Sequence, residues 1–295
     1  MIAAARGVFA TGLLWVLFAA VAAAQPPEST DRGFEFGLRS GFREDDIQIS
    51  VDNTFGGALT VDLRNTNIHH LELYGRARVK QGFYYRGSLA LGWYFDGDLL
   101  VKETGDDGAL NPDGSLGRLP LTLTGTVDGE RLFDATGGVG YQLSFFGDRL
   151  RIAPLGGYSF HKNNVATSSS TFTVIDGADA SSVGPATGFD TQWSGPWIGA
   201  DVTAFINSKF SAIAGFEHHW LDVTATPRIT SPGRPRKERG TGTGFAWSGG
   251  LRYRFARIFT GEVLYRGHDW SATTGRNFSV GWQSYRFTAG GIFHF

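Results

Sequence analysis

The stretch SYRFTAGGIFHF, residues 284–295, alternates along its whole length. In an extended strand, successive side chains point to opposite faces. Tyr285, Phe287, Ala289, Gly291, Phe293 and Phe295 therefore share one face, and Arg286, Thr288, Gly290, Ile292 and His294 share the other. The first face is apolar with aromatics at its ends, and the second carries charge. A half-buried strand of a soluble sheet has the same pattern, so the fold class depends on what surrounds it.

The pattern recurs. In FYYRGSLALGWYF (83–95), Phe83, Tyr85, Leu89, Leu91, Trp93 and Phe95 oppose Tyr84, Arg86, Ser88, Ala90 and Tyr94. GGVGYQLSFF (137–146) and FAWSGGLRYRF (245–255) alternate in the same way. Dyad segments of about ten residues are the signature of a transmembrane β-barrel. Counting them gives about ten strands, beginning near Phe34, Ile68, Phe83, Gly137, Leu150, Thr191, Phe210, Phe245, Ile258 and Tyr285. Short turns fall near Lys80-Gln81, Gly147-Asp148, Asn207-Ser208 and Arg257, and polar stretches read as long loops fall near 44–66, 96–132, 162–190, 225–244 and 269–284. Short periplasmic turns and long extracellular loops are the habit of outer-membrane barrels, and an even strand count puts both termini on the periplasmic side. The expected fold is all-β: an antiparallel up-and-down transmembrane barrel. A periplasmic β-sandwich is the alternative. Against it stand the aromatics crowding the apolar face near strand ends (Trp93, Phe95, Trp220, Phe245, Tyr285, Phe295), as an interfacial girdle requires.

Composition agrees. The chain has 295 residues with 42 Gly and 24 Phe, a pairing that suits strands and tight turns. A formal net charge of −1 argues against a general nucleic-acid binder, and the absence of Cys excludes disulfides and thiolate metal sites. MIAAARGVFATGLLWVLFAAVAAAQPP has one early Arg6, an apolar run and Ala22-Ala23-Ala24, the order of a secretory signal peptide. Residues 1–24 are expected to be removed, leaving 25–295 as the barrel. An uncleaved anchor is the alternative, but the apolar run is shorter than the roughly 20 residues a spanning helix needs.

If the apolar face meets lipid, the other face lines the lumen. It reads Glu35, Arg39, Arg43, Glu72, Arg76, Arg78, Arg86, Arg151, Asp201, Glu217, Arg252, Arg254, Glu262, Arg266 and Arg286. Ten strands sit just above the size at which side chains fill a barrel. Both signs of charge in a narrow bore favour a structural plug, with an ion-selective channel as the other reading.

DTQWSGPWIGADVTAF (190–205) followed by FSAIAGFEHHWLD (210–222), with LALGW (89–93) and LGGYSFHKNN (155–164), resembles the omptins, ten-stranded outer-membrane endopeptidases of the cell surface. The resemblance implies an Asp pair in the second extracellular loop facing an Asp–His pair in the fourth, activating a water for attack on a peptide. The second loop supplies Asp96 and Asp98, with Asp106-Asp107 further out. The fourth, DVTATPRITSPGRPRKERGTGTG (222–244), holds no His and only Asp222. His219 and His268 are the candidate substitutes, with rim residues among polar neighbours as the plainer reading. Of the omptin lipopolysaccharide motif, Tyr158 and Lys162 match, Phe160 replaces an acid, and Trp193 stands where an Arg is expected. The basic loop with Arg234, Arg236, Lys237 and Arg239 is a second candidate contact for anions. No cofactor or metal is expected beyond lipopolysaccharide. The implied partners are outer-membrane lipid, lipopolysaccharide and the barrel assembly machinery, which would read the strand ending at Phe295. The expected role is structural or surface-binding, without a complete protease site. An active omptin-type endopeptidase and a narrow channel are the alternatives.

Overall fold

Alternating sequence becomes strand almost everywhere in the structure, a computed structural model that describes residues 33–52, 58–79, 82–104, 121–127, 129–174, 188–228, 237–274 and 278–295. The expected signal peptide and the arginines at 234 and 236 lie outside these residues. The strands are β1 (Gly33–Asp52), β2 (Ala58–Arg78), β3 (Phe83–Thr104), β4 (Leu121–Val127), β5 (Arg131–Tyr141), β6 (Leu143–Phe145), β7 (Leu150–Val174), β8 (Gly188–Phe205), β9 (Phe210–Arg228), β10 (Glu238–Ala256), β11 (Phe259–Thr274) and β12 (Phe278–His294).

Every pairing is antiparallel. β3 and β7 each pair with both β4 and β5, and β6 continues against β7, so these three short strands form one interrupted stave. The cylinder thus closes with ten staves, β1 running beside β12 from Glu35↔His294 to Val51↔Phe278. Main-chain bonds Phe34 N–H to Phe295 O and Phe295 N–H to Phe34 O finish the seam. Closure matters because an open sheet edge in hydrocarbon leaves backbone polar groups unsatisfied.

The expected long loops are corrected by the structure. Much of 44–66, 96–132, 162–190, 225–244 and 269–284 is strand: β2 is 21 residues long and β7 25, where crossing a membrane takes about 9–11. The staves continue on the order of 20 Å past the membrane into water.

What changes along each stave is which side is apolar. In β9, Phe216 and Trp220 point outward while Glu217 and His219 point in; further up, Leu221, Val223 and Ala225 point in while Asp222 points out. In β12, Phe287 is exposed on the outer face below, and Trp282, Val280 and Phe278 are buried inside above. β1 does the same, with Phe34, Phe36, Leu38 and Phe42 outside and Ile47 and Ile49 inside. Below the switch hydrocarbon is outside and charge within. Above it, water is outside, and the interior is a dry core of the kind soluble proteins build. That core joins Leu63, Ile68, Leu132, Val165, Phe189, Trp193, Trp270 and Trp282 with the residues just named.

Candidate functional site

Below the apolar core the lumen is a ladder of ion pairs. Glu262 is its clearest node: Arg39 donates to Oε1 at 2.8 Å and Arg252 Nε to Oε2 at 2.6 Å, while Arg39 also reaches Glu72 at 3.1 Å. Glu217 Oε1 accepts from Arg86 and Arg266, both at 2.6 Å, and its Oε2 lies 2.9 Å from His219 Nε2. Asp201 accepts from Arg86 at 2.7 Å and from the Tyr84 hydroxyl at 2.8 Å. Higher up, Arg43 forks onto both oxygens of Asp45 (2.7 and 2.8 Å) and reaches Asp134 at 2.6 Å. Buried charges persist only when paired and hydrogen-bonded in this way. The expected lumen-facing stripe is therefore present, and its charges cross-link staves far apart in sequence.

Between the ladder and the apolar core lies a layer of His and Trp. His161 Nδ1 is 2.8 Å from Asp134, and its ring sits 4.7 Å edge-on to Trp270. His268 stacks on Trp270 at 4.4 Å and meets Trp282 edge-on at the same distance. Trp197 lies one layer lower, in a notch cut by two glycines. A Cβ at Gly138 or Gly157 would fall 2.6 or 2.5 Å from its ring. Two small cavities, of about 20 Å³ and about 50 Å³, lie among the ladder residues at these levels.

The candidate catalytic residues do not converge. Asp96 and Asp98 are exposed on the outer side of β3, at an irregularity in its register with β2, and Asp96 accepts from the backbone of Gly97. His219 is buried in the lumen between Ser159 and Glu217. His268 is enclosed by the two tryptophans on the inner side of β11. The barrel wall separates the acids from the histidines. Tyr158 and Lys162 do share a surface, both exposed on the outer side of β7, with Phe160 between them. Trp193, which stands where the resemblance expects an Arg, is fully buried inside the upper barrel, because its position falls where the inner face has turned apolar. Sequence reading missed Asp45, His70, Asp134 and His161 as interior partners. Their signal was the parity they share with the lumen arginines of the same or paired strands.

A closed antiparallel barrel with a lipid-facing apolar band, a charged lumen and the start of its first strand beside the end of its last at one rim is an outer-membrane β-barrel protein. The family profile described as Pom, Protochlamydia outer membrane protein, matches residues 37–280. Since that is most of the chain, the chain belongs to the Protochlamydia outer membrane protein family and to the outer membrane. No curated protein matches the sequence. Among solved structures, the outer membrane protease OmpT of Escherichia coli is similar, with a TM-score of 0.70 at 11% identity, covering 91% of this chain and 99% of that one. Ail, the attachment invasion locus protein of Yersinia pestis, aligns with a TM-score of 0.31 at 10% identity over 89% of this chain and 99% of its own. The toluene transporter TodX of P. putida aligns with a TM-score of 0.34 at 10% identity over 94% of each chain. The expected omptin-like architecture is thus present at the level of fold.

Proposed function

We propose that this chain is a sealed outer-membrane barrel with a structural or surface-binding role, presenting its outer wall and its extracellular extension rather than a pore or a catalytic cleft. The observation that carries the reading is the apolar core across the upper barrel, with Trp193, Trp270 and Trp282 packed at ring-centroid distances of 5.1–6.0 Å. Hydrophobic side chains at native packing density leave no aqueous path for ions. Purified protein in a planar lipid bilayer is expected to give no discrete current steps. Steady, reproducible single-channel conductance would overturn the reading in favour of a narrow channel.

Lipopolysaccharide contact is the second part of this proposal. Tyr158, 55% exposed on the lipid-facing wall, and Lys162, exposed four residues further up the same stave, suit an acyl-chain boundary and a phosphate respectively. Lipopolysaccharide is expected to raise the temperature at which the folded band is lost on a gel, and the pair Tyr158→Ala with Lys162→Gln is expected to shrink that rise. An unchanged rise removes these residues from the contact.

A further inference from the structure

The end of the barrel where β1 begins and β12 ends opens into a vestibule of about 550 Å³. By the barrel's orientation it faces the periplasm. Six arginines reach it, Arg76, Arg78, Arg151, Arg252, Arg254 and Arg257, against two side-chain carboxylates, Glu35 and Asp201. Arg252 is already paired with Glu262 of the ladder, and Lys209 adds a further cation at the mouth, so cationic side chains outnumber acidic ones.

Neither carboxylate is at liberty to neutralise the excess. Asp201 is held by Arg86 and Tyr84 from the ladder above, and Glu35 lies 3.3 Å from Arg252 and 3.7 Å from His294. In the ladder, guanidinium groups meet carboxylates at 2.6–3.1 Å. In the vestibule, Arg76 and Arg254 form no salt bridge with any described residue. The Arg151 guanidinium lies over the Phe205 ring, with Nε 4.0 Å from Asp148 and no hydrogen-bond partner. Arg252 is only 7% exposed, and its Nη2 is buried without a hydrogen-bond partner. Ladder and vestibule use the same residue type, yet Arg76 and Arg254 lack the close carboxylate partners that Arg39, Arg86 and Arg266 have.

We propose that this vestibule binds a polyvalent oxyanion of the phosphoryl class from the periplasmic side. Guanidinium forks match the spacing of phosphoryl oxygens and form charge-assisted hydrogen bonds to them. Several cations around one concave, low-dielectric mouth focus the field on an entering anion. The blind inner end of the site rests on the sealed-barrel reading, whereas its charge does not. Bilayer conductance tests the first and anion binding the second, so the two can fail separately.

The test is a calorimetric titration of the detergent-folded protein with sodium pyrophosphate at low ionic strength. Saturable binding that weakens as sodium chloride is added is expected. Arg76→Gln with Arg254→Gln is expected to weaken it at least about tenfold, since each substitution removes a charge-assisted hydrogen bond. Glu35→Gln, which removes a competing acid, is expected to tighten it, an outcome that misfolding cannot imitate. Absence of saturable heat, or an affinity unchanged in the double arginine variant, overturns the proposal. Repeating the titration in nanodiscs separates the sources. Loss of pyrophosphate binding only when phosphatidylglycerol is present assigns the site to a lipid headgroup, and retention assigns it to a soluble phosphoryl compound.

Discussion

Glu262 shows what a single residue does in this lumen. One carboxylate joins Arg39 of β1 to Arg252 of β10 and is fully enclosed. Replacing it leaves Arg39 with Glu72 at 3.1 Å and Arg252 with Glu35 at 3.3 Å, so each guanidinium loses the shorter of its two ion pairs in a low-dielectric interior. Removing one partner of a buried ion pair costs about 3–5 kcal/mol. Glu262→Gln is therefore expected to lower the stability of the folded barrel by about that amount, read as an earlier urea midpoint in lipid vesicles. A change below about 1 kcal/mol would mean that water, not the arginines, satisfies this carboxylate. Gly157 makes a complementary case through shape. Because an added Cβ would clash with the Gly137 carbonyl oxygen and fall 2.5 Å from the Trp197 ring, Gly157→Ala is expected to cost about 1–3 kcal/mol by overpacking, whereas the same change at Gly137, whose added Cβ meets nothing within 4 Å, is expected to be tolerated.

At the scale of the strand, the lesson is the reversal of faces. Leu38 and Ser279 both point outward from neighbouring staves, but Leu38 lies in the lipid band and Ser279 above it. Leu38→Arg is expected to cost about 2–4 kcal/mol, as a cation at the bilayer midplane does, while Ser279→Arg stays within about 0.5 kcal/mol. Val223→Asp, on the inner face at the upper level, is expected to cost about 4 kcal/mol or more, because it buries an unpaired carboxylate. Equal tolerance of Ser279→Arg and Val223→Asp in urea unfolding would refute the apolar upper core. The same reversal explains what was legible in the sequence. Below the switch the lumen arginines and the lipid-facing aromatics stand out, because the two faces differ in charge as well as apolarity. Above it, Ile47, Ile49, Leu63, Leu221 and Val223 alternate with Gln48, Asp62, Asp222 and Thr224. In a chain already read as membrane-spanning, that polar outer face looks like loop. The period was present throughout; the solvent outside changed. The placement of Asp96 and Asp98 outside could not be read from spacing, since it depends on the register break between Arg64 and Ile68.

The whole molecule places two solvents on its outside and two kinds of interior within, in opposite order, and its tryptophans report on both. Trp93, Trp220 and Trp247 are 39%, 43% and 42% exposed on the outer wall at the aromatic girdle, whereas Trp193, Trp197, Trp270 and Trp282 are at most 1% exposed inside. Brominated lipid quenches only rings that touch acyl chains, and acrylamide only rings that water reaches. Brominated lipid is therefore expected to remove the emission of the first three and leave that of the last four, which acrylamide should barely affect until the protein unfolds. Substituting Trp193, Trp270 and Trp282 by Ala together removes the rings that close the bore. Each large-to-small core change costs about 3–5 kcal/mol, so the variant should be markedly less stable. If it still folds, the remaining buried ring, Trp197, should become accessible to acrylamide. A Trp197 that stays shielded in the folded variant would place the seal lower, in the ion-pair ladder around Glu217 and Arg86. A Trp197 exposed already in the parent protein would mean that water enters the bore past the apolar core, and that the closed interior is not the resting state of the barrel.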